Sequence, residues 1–190
     1  MKYLNVKKDN TYILSEDKKY SRKELINLVT TEIKKSNVKF NKLEFNKDQF
    51  VLKFSLNGRE LTFDMFLKNI TGAGWEDKPY IKRCQVSNLK NVDPEKTKLI
   101  PNVHYNLILG YYNFDNNPIL VAWDPYRYFN HKTLRSCYVT VDALKRGYEK
   151  DYFDCVVSSQ KCWVFIGEKF DTFVEEYINY VSNVYLRGEK

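Results

Sequence analysis

Residues 21–36, SRKELINLVTTEIKKS, repeat apolar positions at helical spacing: Leu25, Ile26, Val29 and Ile33 share one face. Ser21 and Glu24 stand at the spacing of a capping box, so the helix is expected to start there. From Lys39 the period shortens to two. Phe40, Leu43 and Phe45 precede FVLKFSLNGRELTFDMF, in which Asn57-Gly58 is the preferred dipeptide of a tight hairpin turn. This pattern predicts strands at 39–46, 50–56 and 59–67.

After the loop TGAGWEDKP comes YIKRCQVS, a strand in which Ile81, Arg83 and Gln85 alternate with Lys82, Cys84 and Val86. One face must therefore carry an unusual mixture. The polar stretch NLKNVDPEKTKLIPN reads as a surface loop, and HYNLILGYYNF and PILVAWDP as apolar strands joined by a turn at DNN. RSCYVTV is another strand, with Thr140 placed to cap a short helix, VDALKRGYE. YFDCVV and CWVFI follow as short strands, and residues 168–186 form a long amphipathic helix on Phe170, Phe173, Val174, Tyr177, Ile178, Val181, Val184 and Tyr185. Strands in a run, rather than alternating with helices, point to an α+β, mainly β fold and away from a parallel doubly wound one.

Hydrophobic residues make up 43% of the 190 and aromatics 16%, enough for a packed core in a single domain. No window approaches the roughly 18 consecutive apolar residues of a membrane helix. The start, MKYLNVKKDN, lacks the apolar stretch of a signal peptide, so the expected compartment is the cytoplasm, with no membrane partner. Thirty-one Lys and Arg against 24 Asp and Glu leave a net charge of +7, which suits a polyanionic partner without demanding one.

The residues offer little for catalysis. A restriction-type nuclease site needs an acid, with an acid and a lysine one residue apart on a nearby strand. Glu44, Asp48, Asp64 and Asp154 are instead isolated, and DPEKTK at 93–98 falls in the loop. TGAGW lacks the Lys and the Ser or Thr of a phosphate-binding loop. The four cysteines form no CxxC pair, and Cys137 occupies an apolar strand position better suited to a buried thiol than to a nucleophile served by His131. His104 reads as an ordinary strand-start residue. No catalytic residue, metal site or cofactor is expected.

Basic and aromatic residues gather in two stretches. GWEDKPYIKRCQ carries Trp75, Lys78, Tyr80, Lys82, Arg83 and Gln85; WDPYRYFNHKTLRS carries Trp123, Tyr126, Arg127, His131, Lys132 and Arg135. Duplex DNA requires such a mixture, because Lys and Arg displace counterions from phosphates while Arg and Gln make paired hydrogen bonds to base edges. Trp123 and Tyr138 read as core residues, with Asp124-Pro125 turning the chain outward into an arm.

GAGWEDKPYIKRCQVS, NLILGYYNFDNNPILVAWDPYRY, SCYVTVDALKRGY and CWVFIGEKFDTFVEEY together resemble a module of bacterial restriction and modification proteins. The likeness is to the N-terminal domain of LlaJI-type restriction endonucleases, which are McrB-like motor proteins, and so to the DNA-binding pseudobarrels of EcoRII and of plant B-three transcription factors. It spans roughly residues 70–180. It implies an open antiparallel pseudobarrel of about seven strands with short helices and a long C-terminal helix. Two arms would embrace the major groove. The family's EYRIQ motif falls with its basic residue on Arg83 and its glutamine on Gln85; DPYRH falls on Asp124 to Tyr128, with Tyr128 in place of histidine.

The expectation is one DNA-binding domain over 1–190, with an N-terminal helix and β-hairpin portion at 1–68 and a basic-armed barrel portion at 69–190, forming the N-terminal part of a longer protein. It would recognise double-stranded DNA through Trp75, Lys78, Lys82, Arg83, Gln85, Tyr126, Arg127, His131, Lys132 and Arg135. A fused or associated GTPase motor and a nuclease subunit would be its partners. The alternatives are a protein-interaction adaptor, or a small nuclease with an unrecognised site.

Overall fold

The computed structural model describes residues 1–46, 49–87, 104–128 and 135–186. The polar stretch at 88–103, and His131 and Lys132 of the expected second arm, lie outside them.

The helix of the N-terminal half, α1 (Arg22–Ile33), starts as its capping box dictates: Ser21 Oγ accepts from Glu24 N, and the Glu24 carboxylate accepts from Ser21 N at 2.7 Å. Ahead of it lies a short hairpin, β1 (Tyr3–Val6) and β2 (Tyr12–Ser15). It shows no apolar-inward alternation, since Tyr12 and Leu14 are exposed while the polar Asn5 is buried, and its turn depends on Asn10 taking a positive φ of 69°.

The meander β3 (Lys39–Asn46), β4 (Gln49–Leu56) and β5 (Arg59–Asn69) follows the alternation of its sequence. Asn57 and Gly58, at φ 51° and 76°, form the β4–β5 turn. The chain then leaves this sheet for β6 (Thr71–Gly72) and β7 (Ile81–Val86) and returns as β8 (His104–Phe114). It continues through β9 (Asn117–Trp123), β10 (Arg135–Thr140), α2 (Val141–Lys150), β11 (Tyr152–Val157), β12 (Gln160–Phe165) and α3 (Phe170–Val181). A π-helical turn, Ser182–Leu186, prolongs α3.

Seven strands pair in the order β11-β12-β9-β8-β5-β4-β3, and three more in the order β10-β7-β6. The fold is mainly β and open, since the larger sheet ends at β11 and β3, which do not pair with each other, rather than closing on itself. Its neighbours are antiparallel except for β5 and β8, which run parallel with Thr62 opposite His104. The exception follows from the excursion through β6 and β7. A chain that leaves a sheet and re-enters beside its own departing strand can do so in the same direction, which a short hairpin cannot.

α3 supplies the main core on one side. Phe170, Phe173 and Tyr177 meet Phe54, Phe63, Tyr105, Trp163 and Phe165 in edge and stacked contacts. Across the sheet, α2 packs on Val164 and Ile119, where a side chain at Gly147 would collide with Val164. Ile108 and Trp123, facing each other on β8 and β9, are fully buried. With both faces covered, β8 and β9 read as nearly continuous apolar runs. By contrast, the outer face of β3–β5 carries Lys42, Glu44, Lys53 and Thr62 and remains half open to solvent.

Candidate nucleic-acid interface

The small sheet carries the first basic stretch. β7 lies between β6 and β10, and its alternation sorts its side chains as the sequence implies: Lys82, Cys84 and Val86 are buried, whereas Ile81 and Arg83 are half-buried and Gln85 is exposed. Register places Thr71 and Tyr138 on either side of Arg83, and Ser136 beside Gln85. The outward face is thus a row of Thr71, Arg83 and Tyr138, with a Gln85–Ser136 pair next to it.

Trp75 extends this row. Its ring stacks on Tyr138 at 5.3 Å between centroids while 40% of the residue remains exposed, so it is a surface platform rather than a plug. The Lys78 ammonium stands 5.7 Å from the indole centroid. Gly74, at φ 85°, provides the left-handed backbone needed to bring Trp75 round. Beside Arg83 and Gln85 opens a polar groove of about 470 Å³ whose other walls include Tyr3, Glu16, Lys19 and Thr71.

Lys82 does not belong to this surface. It is fully buried, with its ammonium ion-paired to Asp17 and donating to Asn5 Oδ1 at 2.8 Å. Burial pulls its pKa below the ordinary lysine value, and the Asp17 charge opposes that pull. The expected phosphate contact is therefore corrected: the lysine is a clasp between β7 and the N-terminal hairpin. Asp17 also accepts from Gly72 N, and Tyr112 Oη donates to Asn5 Oδ1 at 3.1 Å. A side chain at Gly72 would overlap the Tyr3 ring, so the hairpin sits directly on β6.

At the second stretch the chain turns through a 3-10 segment, Pro125–Tyr128. Asp124 governs it. Its Oδ1 accepts from Tyr126 N at 2.8 Å, and its Oδ2 accepts from the hydroxyls of Tyr180, at 3.2 Å, and Tyr185. The carboxyl is almost wholly buried, and that burial pushes its pKa up against the lowering effect of its hydrogen bonds. Tyr126 is likewise corrected: it is 1% exposed, and its hydroxyl accepts from Asn106 N at 2.8 Å, so it anchors the turn rather than reaching outward. Trp123 is in the core as expected, with its indole N–H donating to Tyr138 O at 3.2 Å.

Arg127 is exposed and donates to Ser159 O at 2.8 Å. Ser159 belongs to the β11–β12 turn, and the next residue, Gln160, accepts from Tyr138 N and donates to Ser136 O at 2.9 and 3.1 Å. That turn props both candidate stretches. Arg135, first residue of β10, is half-buried and its Nε has no hydrogen-bond partner among the described residues. The structure thus gathers Trp75 and Lys78, from the β6–β7 loop, with Arg83 and Gln85 of β7, and joins Arg127 and Arg135 to them through the β11–β12 turn and β10. Asp17, Asn5 and Gln160, which sequence reasoning missed, are polar residues whose long-range partners leave no periodic trace.

Two chemical features define the surface. Among the described residues, Arg83 has neither an ion pair nor a side-chain hydrogen bond, and no three of the His, Cys, Asp and Glu side chains cluster as a metal site. The His104–Asp64 pair, at 2.9 Å, lies on the β5–β8 face. No described helix is long and apolar enough to cross a membrane.

The fold and surface define an open, mainly β domain that offers a cationic and aromatic strand face. The chain belongs to the methylase-associated X1 family, whose sequence profile matches residues 62–180, from β5 into α3. That span includes the small sheet and both basic stretches, and the family's description associates the domain with methylases, which suggests a role in restriction-modification systems. No curated protein matches the chain. No solved structure matches it either.

Proposed function

We propose that this domain recognises duplex DNA for a restriction-modification system and performs no chemistry of its own. The observation that carries this reading is the placement of Arg83 and Gln85, two residues apart on the outward face of one strand, with the guanidinium uncompensated among the described residues. An arginine and a carboxamide can each make paired hydrogen bonds to a base edge in the major groove. Held on a paired strand, they lose little conformational freedom on binding.

Arg127 and Arg135 would add base or phosphate contacts, and Lys78, with His131 and Lys132 from outside the described residues, would neutralise phosphates. Trp75 would pack against sugar or base. The likeness to LlaJI-type domains supports a GTPase motor and a nuclease as the partners that act once the site is bound. A gel-shift titration of duplex DNA at two salt concentrations tests the reading. Affinity should fall steeply with salt, by about the number of phosphates neutralised in the logarithmic slope. Binding that ignores salt would favour the adaptor alternative, and Mg²⁺-dependent cleavage by these residues alone would favour the nuclease.

A further inference from the structure

The four cysteines, scattered in sequence, form two directly opposed cross-strand pairs. Cys84 faces Cys137 between β7 and β10, and Cys155 faces Cys162 between β11 and β12. The first pair is sealed in the core, whereas Cys155 is only half-buried. The Cys155 and Cys162 sulfurs are 3.2 Å apart. A disulfide bond is about 2.05 Å long, so a small closing movement would bring the sulfurs to bonding distance.

Access and activation favour the same pair. Cys155 lines an open cavity of about 380 Å³ together with Thr140, Arg146, Phe153 and Ser158. The hydrogen bond from Cys162 draws the Cys155 thiol below its ordinary pKa, helped by the charges of Lys161 and Arg146 and opposed by burial and by the Asp154 carboxylate. Cys162 is pushed the other way, upward, by the same hydrogen bond and by its own burial. The reachable thiol is thus the more readily ionised of the two, and an accessible thiolate is the reactive form of cysteine.

We propose that Cys155 and Cys162 form a reversible redox site, which a small peroxide converts into a cross-strand disulfide. The Cys155 thiolate attacks one peroxide oxygen; the O–O bond breaks, and the departing hydroxide takes a proton and leaves as water. Cys155 is then a sulfenic acid. The Cys162 sulfur attacks it, the S–O bond breaks, and the second water leaves with the proton that Cys162 gives up. Two thiols have supplied two electrons to one peroxide. The hairpin that carries the pair ends in Ser159 and Gln160, the residues that hold Arg127 and β10 in place. The oxidation does not depend on the DNA reading.

The test is to expose the full chain to hydrogen peroxide and to follow it by intact mass and peptide mapping. The expected result is a mass lower by two hydrogen atoms, a Cys155–Cys162 cross-linked peptide, and full reversal by dithiothreitol. Arg146→Ala should slow the reaction several-fold, and Cys155→Ser should abolish the cross-link while leaving Cys162 reduced. Three results overturn the proposal: Cys155 gaining oxygen atoms with Cys162 unchanged, a cross-link that involves Cys84 or Cys137 instead, or no reaction at peroxide levels that oxidise a free thiol in the same tube.

Discussion

The two sheets treat their charged side chains in opposite ways. On the large sheet most of the described lysines and arginines are matched: Lys42 and Lys53 flank Glu44, Arg59 meets Glu175 on α3, and Lys161 meets Asp154, while Lys39 and Lys68 have no ion pair among the described residues. On the small sheet and its β6–β7 loop, Arg83 has no ion pair among the described residues, Lys78 stands over an indole, and Lys82, which is matched, points inward. A charge that the scaffold itself neutralises is not left over for a partner. Basic residues are therefore poor markers of a binding face until their pairing is known, and on this fold pairing separates the two sheets more clearly than charge density does.

The largest expected effect comes from breaking the one matched pair on the small sheet. Asp17→Ala would strand a buried ammonium, at a cost of about 3–5 kcal/mol in a denaturant titration. The pH dependence has a definite sign. Lys82 already has a folded pKa below its unfolded one, and removal of Asp17 lowers it further. The unfolded chain then binds more protons, so the variant should regain stability as pH climbs toward the ordinary lysine range. Equal loss at every pH would mean that Lys82 is not buried as a charge.

Next in size, Arg83→Ala should weaken DNA binding by about 1–3 kcal/mol and relax sequence preference, with the melting temperature unchanged. Unchanged affinity would remove the basis for distinguishing the sheets. Asp124→Asn probes the base of the second stretch. The raised carboxyl pKa means that the folded state holds a proton the unfolded state has released. Between the ordinary carboxylate pKa and the raised one, wild-type stability should fall as pH rises, and the variant should lose that slope in urea melts across the acid range. Lys78→Ala should reduce the salt dependence of binding by about one phosphate's worth in the logarithmic slope. Arg59→Ala, which removes a matched and partly exposed cation, should cost less than about 1 kcal/mol of stability and leave DNA affinity untouched.

Much of the architecture was legible because it is periodic. The β3–β5 meander, the alternation of Arg83 with Lys82, the capped helices at Ser21 and Thr140, and the apolar face of α3 each follow from local spacing that tertiary packing reinforces. The parallel seam between β5 and β8 was not legible, because strand direction depends on where the chain travels in between. Lys82 and Tyr126 were misjudged for a related reason. Their types suit a DNA contact, yet their neighbours in space, Asp17 and Asn106, are distant in sequence and decide which way each side chain is used. Gln85 and Trp75 could be placed at the surface because strand alternation and a loop position are local facts.

The parallel seam also has a kinetic consequence. The β3–β5 meander and the β8–β9 hairpin can each zip from their own turns, but β5 can meet β8 only after the intervening chain has closed into a loop, an entropic cost that falls before any reward. β6 and β7 lie within that loop, and β10 joins β7 only from the far side of β9. The strand face that bears Arg83 is thus expected to be assembled late, so that a nascent or partly folded chain would not yet present it.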